Sequence, residues 1–393
     1  MSDAILHDTD HVLVARMDRV RKTWKGTALP YSSAIDEAEF YRLAAGIPGI
    51  PPLIEHGKDF IVLPYIPKNF GNIKNLSADK RRKMGFKIVD IIFEMFCRGV
   101  AHSDLYISNI LLSEDEQQPC LIDPMINFYG SHTKFCDCFD LCGMGLEPKL
   151  TTEKKIQCCF DNFAGPELGI THEEAVGYIA DKLYSAMINC SGTETYNDLA
   201  PKGITYSSIN FPGLFKCDGW RDTDKRFAEL GITSLKEKTV LDLGSCLGAF
   251  LFKSAQMGAL LAVGLEKNAD RIRIANRLAA FLGLRNRVKS LGAEASTLTR
   301  EWIMTNAKQD SFDVSFCMAL EGRVSPDAGI LPLLAQVTRE TMYYETNHVH
   351  DNPPARYMDM IKKAGFKVVQ HVGTEDEGFP KRYKFVCHKG PVP

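Results

Sequence analysis

Two rhythms of apolar and polar positions run along the chain. In the first part, Val12-Leu13-Val14-Ala15-Arg16 and Val20-Arg21-Lys22-Thr23-Trp24 read as the arms of a β-hairpin. Ile35, Ala38, Phe40, Tyr41 and Leu43 recur at helical spacing and predict a helix from Ile35 to Ala45. Phe60 to Ile66 is an apolar run interrupted by Pro64, as in a buried strand that stops there. Ser77 is placed to cap a long helix from Ala78 to Arg98, and short strands follow at Ile110–Leu112 and Cys120–Ile122. From residue 239 the rhythm changes to a strand–helix beat. Strands are expected at 239–243, 261–265, 287–290, 312–316, 341–344 and 367–369, with helices at 249–256, 269–282, 331–339 and 355–364. That beat predicts βαβ units and a parallel sheet.

Between the two patterns, residues 189–212 are rich in Gly, Pro, Asn, Ser and Thr and keep no sustained period. They predict two domains, residues 1–195 and 213–393, joined by a linker over 196–212. The length of 393 residues suits two cores. Charge also divides the chain. Residues 1–200 hold 20 Lys and Arg against 28 Asp and Glu, a net of −8, and the remainder hold 27 against 21, a net of +6. No apolar run reaches the ~18 residues of a membrane span, and the polar, acidic start lacks the pattern of a secretory signal. Twelve cysteines then read as reduced thiols, and the expected compartment is the cytoplasm. Cys136, Cys138, Cys142, Cys158 and Cys159 form C-x-C-x3-C-x15-C-C and are expected to be buried thiols in preference to zinc ligands.

Val240-Leu241-Asp242-Leu243-Gly244-Ser245-Cys246-Leu247-Gly248-Ala249 is a strand, an acidic residue and a glycine-rich turn that opens a helix. Such a turn lets the backbone approach a ligand and presents free helix N–H groups to it. Its spacing is D-x-G-x-x-x-G, not the dinucleotide G-x-G-x-x-G. Glu266 ends the next strand, where a carboxylate can accept hydrogen bonds from both ribose hydroxyls. This pattern resembles motif I of class I S-adenosylmethionine-dependent methyltransferases. The resemblance implies an α/β Rossmann-like, doubly wound domain that binds the cofactor through Asp242, Gly244, Gly248, Glu266 and Glu294, with Arg221 pairing the cofactor's methionine carboxylate. Glu345 and His348 are the acceptor-side candidates for a general base, with Glu321 and His350 as further choices.

In the first domain, Ala101-His102-Ser103-Asp104 leads through Asn109-Ile110-Leu111-Leu112 to Leu121-Ile122-Asp123. This resembles the catalytic loop and metal-binding aspartate of kinase-like enzymes, especially those acting on lipopolysaccharides and small molecules. The resemblance implies an α+β bilobal domain. Asp104 would orient the attacking hydroxyl, Asn109 and Asp123 would hold Mg2+, and Lys22 would contact the phosphates of ATP with Glu37 (or Glu39) as its ion-pair partner. No glycine-rich loop precedes Lys22, and Pro124-Met125 follow Asp123 in place of Phe-Gly. The combined expectation is a bifunctional enzyme. It would phosphorylate a hydroxyl of a glycan, sugar or other small molecule and methylate the same product or acceptor. The alternative is a methyltransferase whose N-terminal module binds without catalysis. A tRNA substrate ranks below both, because basic and aromatic residues are not interleaved beyond Arg271 to Arg287. The sequence leaves room for a homo-oligomer.

Overall fold

The computed structural model describes residues 4–8, 12–16, 19–25, 33–66, 68–69, 76–102, 105, 109–112, 118–124, 126–128, 131–132, 134–135, 168–191, 203–320, 329–347, 352–375 and 382–390. The chain forms two compact units, Met1–Asp181 and Lys182–Pro393. The division falls earlier than residues 196–212.

The first unit opens with an antiparallel sheet. Strands β1 (Ala4–Asp8), β2 (Val12–Arg16) and β3 (Arg19–Trp24) lead into helix α1 (Ala34–Leu43), and β4 (Glu55–His56) and β5 (Phe60–Pro64) return beside β3. The spatial order is β1-β2-β3-β5-β4. The β2–β3 hairpin pairs as the sequence predicts, Val14 opposite Lys22. Ser33 fixes the start of α1 by accepting from the Asp36 N–H at 3.1 Å, and Phe40 and Tyr41 on its inner face are buried. After β6 (Lys68–Asn69) comes α2 (Ala78–Cys97), capped by Ser77. Its Met84, Ile88, Ile91, Ile92, Met95 and Phe96 form one buried stripe at helical spacing. Full burial of such a side chain contributes roughly 1.5–3 kcal/mol each. Strand β7 (Val100–His102) follows, then β8 (Ile110–Leu112), β9 (Pro119–Leu121) and β10 (Ile126–Phe128). β7 pairs with β10, and β8 lies between β6 and β9.

Helix α3 (His172–Asn189) spans the division between the units. In the second unit β11 (Thr205–Ser207) and β12 (Ile209–Phe211) occupy part of the stretch expected to be a linker. Their partners are β14 (Gly219–Arg221) and β13 (Phe215–Cys217) respectively. Short pairings between three-residue strands leave little periodic signal, so composition pointed to a loop where the chain is paired. Helix α4 (Thr223–Glu229) then leads into the strand–helix beat. β15 (Thr239–Leu243), α5 (Ala249–Gln256), β16 (Leu261–Glu266), α6 (Ala269–Phe281) and β17 (Val288–Gly292) form its first half. Its second half holds α7 (Arg300–Ala307), β18 (Phe312–Met318), α8 (Ile330–Val337), β19 (Thr338–Glu345), α9 (Pro354–Ala364), β20 (Val368–Glu375) and β21 (Arg382–His388).

The order β17-β16-β15-β18-β19-β21-β20 is Rossmann-like, with the strand order reversing between β15 and β18. The expected parallel sheet is found except at its end. β21 inserts between β19 and β20, antiparallel to both. Six of its seven residues are buried, so it shows none of the alternation that marks a half-exposed strand. Helix α8 ends at Val337, two residues before the expected Arg339, because the chain is already extended at Thr338. Among the described residues, no helix is long and apolar enough to cross a membrane.

Candidate functional site

In open α/β sheets, ligands bind beyond the carboxyl ends of the strands where the strand order reverses. A cleft of ≈ 880 Å³ lies at that point in the second unit, lined by Leu243, Gly244, Cys246, Glu266, Glu294 and Asn347 among others. Its floor is the turn between β15 and α5. Gly244 (φ +79°), Cys246 (φ +51°) and Gly248 (φ +82°) all take left-handed conformations there. Gly244 and Ser245 N–H groups donate to the Leu265 carbonyl at 2.9 and 3.1 Å, which ties the turn to β16. A β-carbon at Gly264 would lie 2.4 Å from Ser245 Oγ and 2.6 Å from Leu251 Cδ1, so only a glycine in β16 lets the turn approach this closely.

Glu266 sits at the end of β16, with 7% of its surface exposed. Its Oε2 accepts from Cys246 N–H at 3.0 Å, and Oε1 accepts from Lys267 and Asn268 N–H at 3.0 and 2.9 Å. Three backbone donors therefore aim one carboxylate at the cleft wall. Glu294 follows β17 and stands half-exposed, 3.9 Å from Lys267 Nζ. A smaller chamber of ≈ 430 Å³ shares Gly244, Cys246, Met318 and Tyr206 with the cleft and adds Asp242, Ser245 and Arg226. Burial pushes the Asp242 carboxyl up to about 7. Arg226 works against that rise, and the Glu266 charge adds to it. Ser245 Oγ and Arg226 Nε are buried there without a hydrogen-bond partner among the described residues.

Two expected site residues are corrected. Arg221 does not line the cleft; it is buried, and its Nη1 donates to Glu345 Oε1 at 2.6 Å. Glu345 is fully buried, with Arg226 Nη2 at 3.1 Å from Oε2 and Arg382 Nη1 at 3.1 Å from Oε1. Burial alone would raise its carboxyl, but Arg226, Arg221 and Arg382 together hold it far below the usual carboxylate range. A carboxylate so committed cannot serve as a general base. Sequence reasoning missed Arg226, Arg382, Tyr206 and Asn347. Arg226 stands one helical turn beyond the cap Asp222, which fixes the register of α4 that turns it inward. His348 lies outside the described residues, as do His350 and Glu321.

In the first unit, α1 and the segment after β9 bring carboxylates to one amine. Lys22 Nζ donates to both Glu37 Oε1 and Asp123 Oδ1, partners 15 and 101 residues away. Glu37, not Glu39, is the buried one; Glu39 is partly exposed and pairs with Arg42. Burial pushes the Glu37 carboxyl up to about 8, against the pull of Lys22. Burial also opposes charge on Asp123, but Lys22 outweighs it and holds that carboxyl below its ordinary value. Asp123 takes a left-handed φ of +58°. Beside it the His102 Nε2–H donates to the Ile122 carbonyl at 2.9 Å, and burial lowers the imidazole to about 4, so the ring is neutral. Asn109 is buried, and its carbonyl accepts from the Ile122 N–H at 2.9 Å. Asp104 and the five cysteines at 136–159 lie outside the described residues.

No family model matches the sequence, and no curated protein matches it. Solved structures do align with it. The N-terminal domain of EvdMO1 with SAH bound is 17% identical with a TM-score of 0.37, over 56% of this chain and 97% of that one. Magnesium protoporphyrin IX methyltransferase (ChlM) from Synechocystis PCC 6803 with bound SAM is 16% identical with a TM-score of 0.35, over 42% and 77%. Against EvdMO1 itself the identity is 19% and the TM-score 0.35; the alignment covers 46% of this chain but spans only 43% of that one.

Proposed function

We propose that the second unit binds S-adenosylmethionine and transfers its methyl group to an acceptor. The observation that carries this reading is the juxtaposition of a left-handed glycine turn and Glu266 at the point where the strand order reverses. The cleft opens where the strand order reverses, and Glu266 on its wall would accept from the ribose hydroxyls. The smaller chamber fits the amino-acid end. Asp242, uncomfortable as a buried anion, would face the cofactor's ammonium, and Arg226 with its unpartnered Nε would face the carboxylate in place of Arg221. The bound sulfonium supplies the activated methyl group. The chain supplies alignment, and the buried walls exclude water. Isothermal titration with S-adenosylhomocysteine tests this. Binding at one site, lost or weakened at least tenfold in Glu266→Ala, is expected.

For the first unit we propose a kinase-like phosphotransferase acting on a hydroxyl of a glycan or other small molecule. The meeting of Lys22, Glu37 and Asp123 across 101 residues of sequence supports it, as does α1 lying between β3 and β4 of a five-stranded antiparallel sheet. Lys22 would hold the phosphates of ATP, Glu37 would hold Lys22, and Asp123 with Asn109 would hold Mg2+. Asp104 remains the proposed residue that orients the acceptor. The competing reading is a module that binds nucleotide without turning it over. Magnesium-dependent ATP turnover abolished by Asp104→Ala supports the kinase; ATP binding without turnover supports the module.

A further inference from the structure

Arg382 begins β21 and is fully buried. Its guanidinium reaches two separate stretches of chain, around Tyr206 and around Glu345 to Asn347. Nη1 donates to Tyr206 Oη at 2.9 Å and to Glu345 Oε1 at 3.1 Å; Nη2 donates to Asn347 Oδ1 at 3.2 Å; and Nε donates to the Asn347 carbonyl at 3.1 Å. Tyr206 and Asn347 both line the cleft, while Arg382 does not. Tyr206 comes from β11, and Asn347 follows β19, so nothing local in sequence holds the two together. A planar fork anchored by a buried carboxylate is well suited to fix two oxygens at once. A lysine, with a single compact ammonium, cannot span them.

We propose that Arg382 is a positioning residue for the methyl-transfer site: it sets the Tyr206 phenol and the Asn347 amide as the wall of the cofactor cleft beyond the tips of β18 and β19. Glu345 is the counter-charge that keeps the guanidinium in place. The inference rests on the reading of that cleft as a cofactor site. It adds that the wall's geometry is dictated from β21, the strand that interrupts the parallel order. Glu345 then belongs to the site indirectly, as the anchor of a residue that shapes it.

The test uses the full-length protein and S-adenosylhomocysteine as the probe, with affinity read by titration calorimetry on folded material and Tm read separately. Arg382→Lys is expected to weaken binding about tenfold and Tyr206→Phe about threefold, because each loses a charge-assisted contact. The double variant should bind no more weakly than Arg382→Lys alone, since Tyr206 acts through the same fork. Should Arg382→Lys fail to fold, Tyr206→Phe and Asn347→Ala carry the decision. Each should weaken binding about threefold, and together they should be less than additive. If wild type binds the probe while these variants bind within twofold of it, Arg382 is only structural and the proposal is overturned. If wild type does not bind the probe, it is the cofactor assignment that falls.

Discussion

Three guanidiniums, those of Arg221, Arg226 and Arg382, converge on the single carboxylate of Glu345. Removing the charge from such a hub strands buried cations. Glu345→Gln should therefore lower stability by about 3–5 kcal/mol in urea unfolding at pH 7. A catalytic base would instead lose turnover with its stability unchanged. Asp242 works in the opposite direction. Its carboxyl is raised to about 7 in the folded protein from an ordinary 3.8, so the folded chain binds the extra proton between those values. The stabilisation it gives is complete below pH 3.8 and is lost as pH rises through 7. Asp242→Asn removes that slope. Compared by urea unfolding at pH 5 and pH 8, the variant should gain on wild type at the higher pH. These residues show why spacing alone misassigned Glu345 and Arg221: both sit at strand ends that face the cleft region in the linear pattern, and only the partners around them reveal that they face each other.

At the scale of elements, the β15–turn–α5–β16 unit was legible because each of its demands leaves a mark in the sequence. Left-handed φ values call for glycine, a buried parallel strand reads as an unbroken apolar run, and a carboxylate closes the next strand. Gly264 carried a further demand that was not read, since its reason is the close approach of the turn. Gly264→Ala should cost about 1–3 kcal/mol by overpacking Ser245 and Leu251. It should also weaken S-adenosylhomocysteine binding by displacing the turn, as paired unfolding and titration measurements would detect. Strands β11 and β12 escaped notice for the opposite reason. Pairings of three residues are fixed by their partners β14 and β13 and not by any period of their own.

For the whole molecule, the two units carry separate candidate chemistries. Asp123→Asn should abolish magnesium-dependent ATP binding while leaving S-adenosylhomocysteine affinity within twofold of wild type, both read by titration calorimetry. An ATP effect on the methyl-donor site would show instead as an affinity that shifts when both ligands are present.

The sequence by itself determined the existence of two units, the strand–helix beat of the second, and the glycine turn with Glu266. Each of these depends on local backbone requirements or on motif spacing, which the order of residues records directly. Tertiary structure decided where the units divide, that β21 enters the sheet antiparallel, and that Glu345 is the buried partner of three arginines. It also decided that Lys22 meets Glu37 and Asp123, and that Tyr206 and Asn347, from separate stretches of the unit, share one guanidinium. Burial and counter-charge belong to the neighbours a residue acquires on folding, and no period along the chain encodes them.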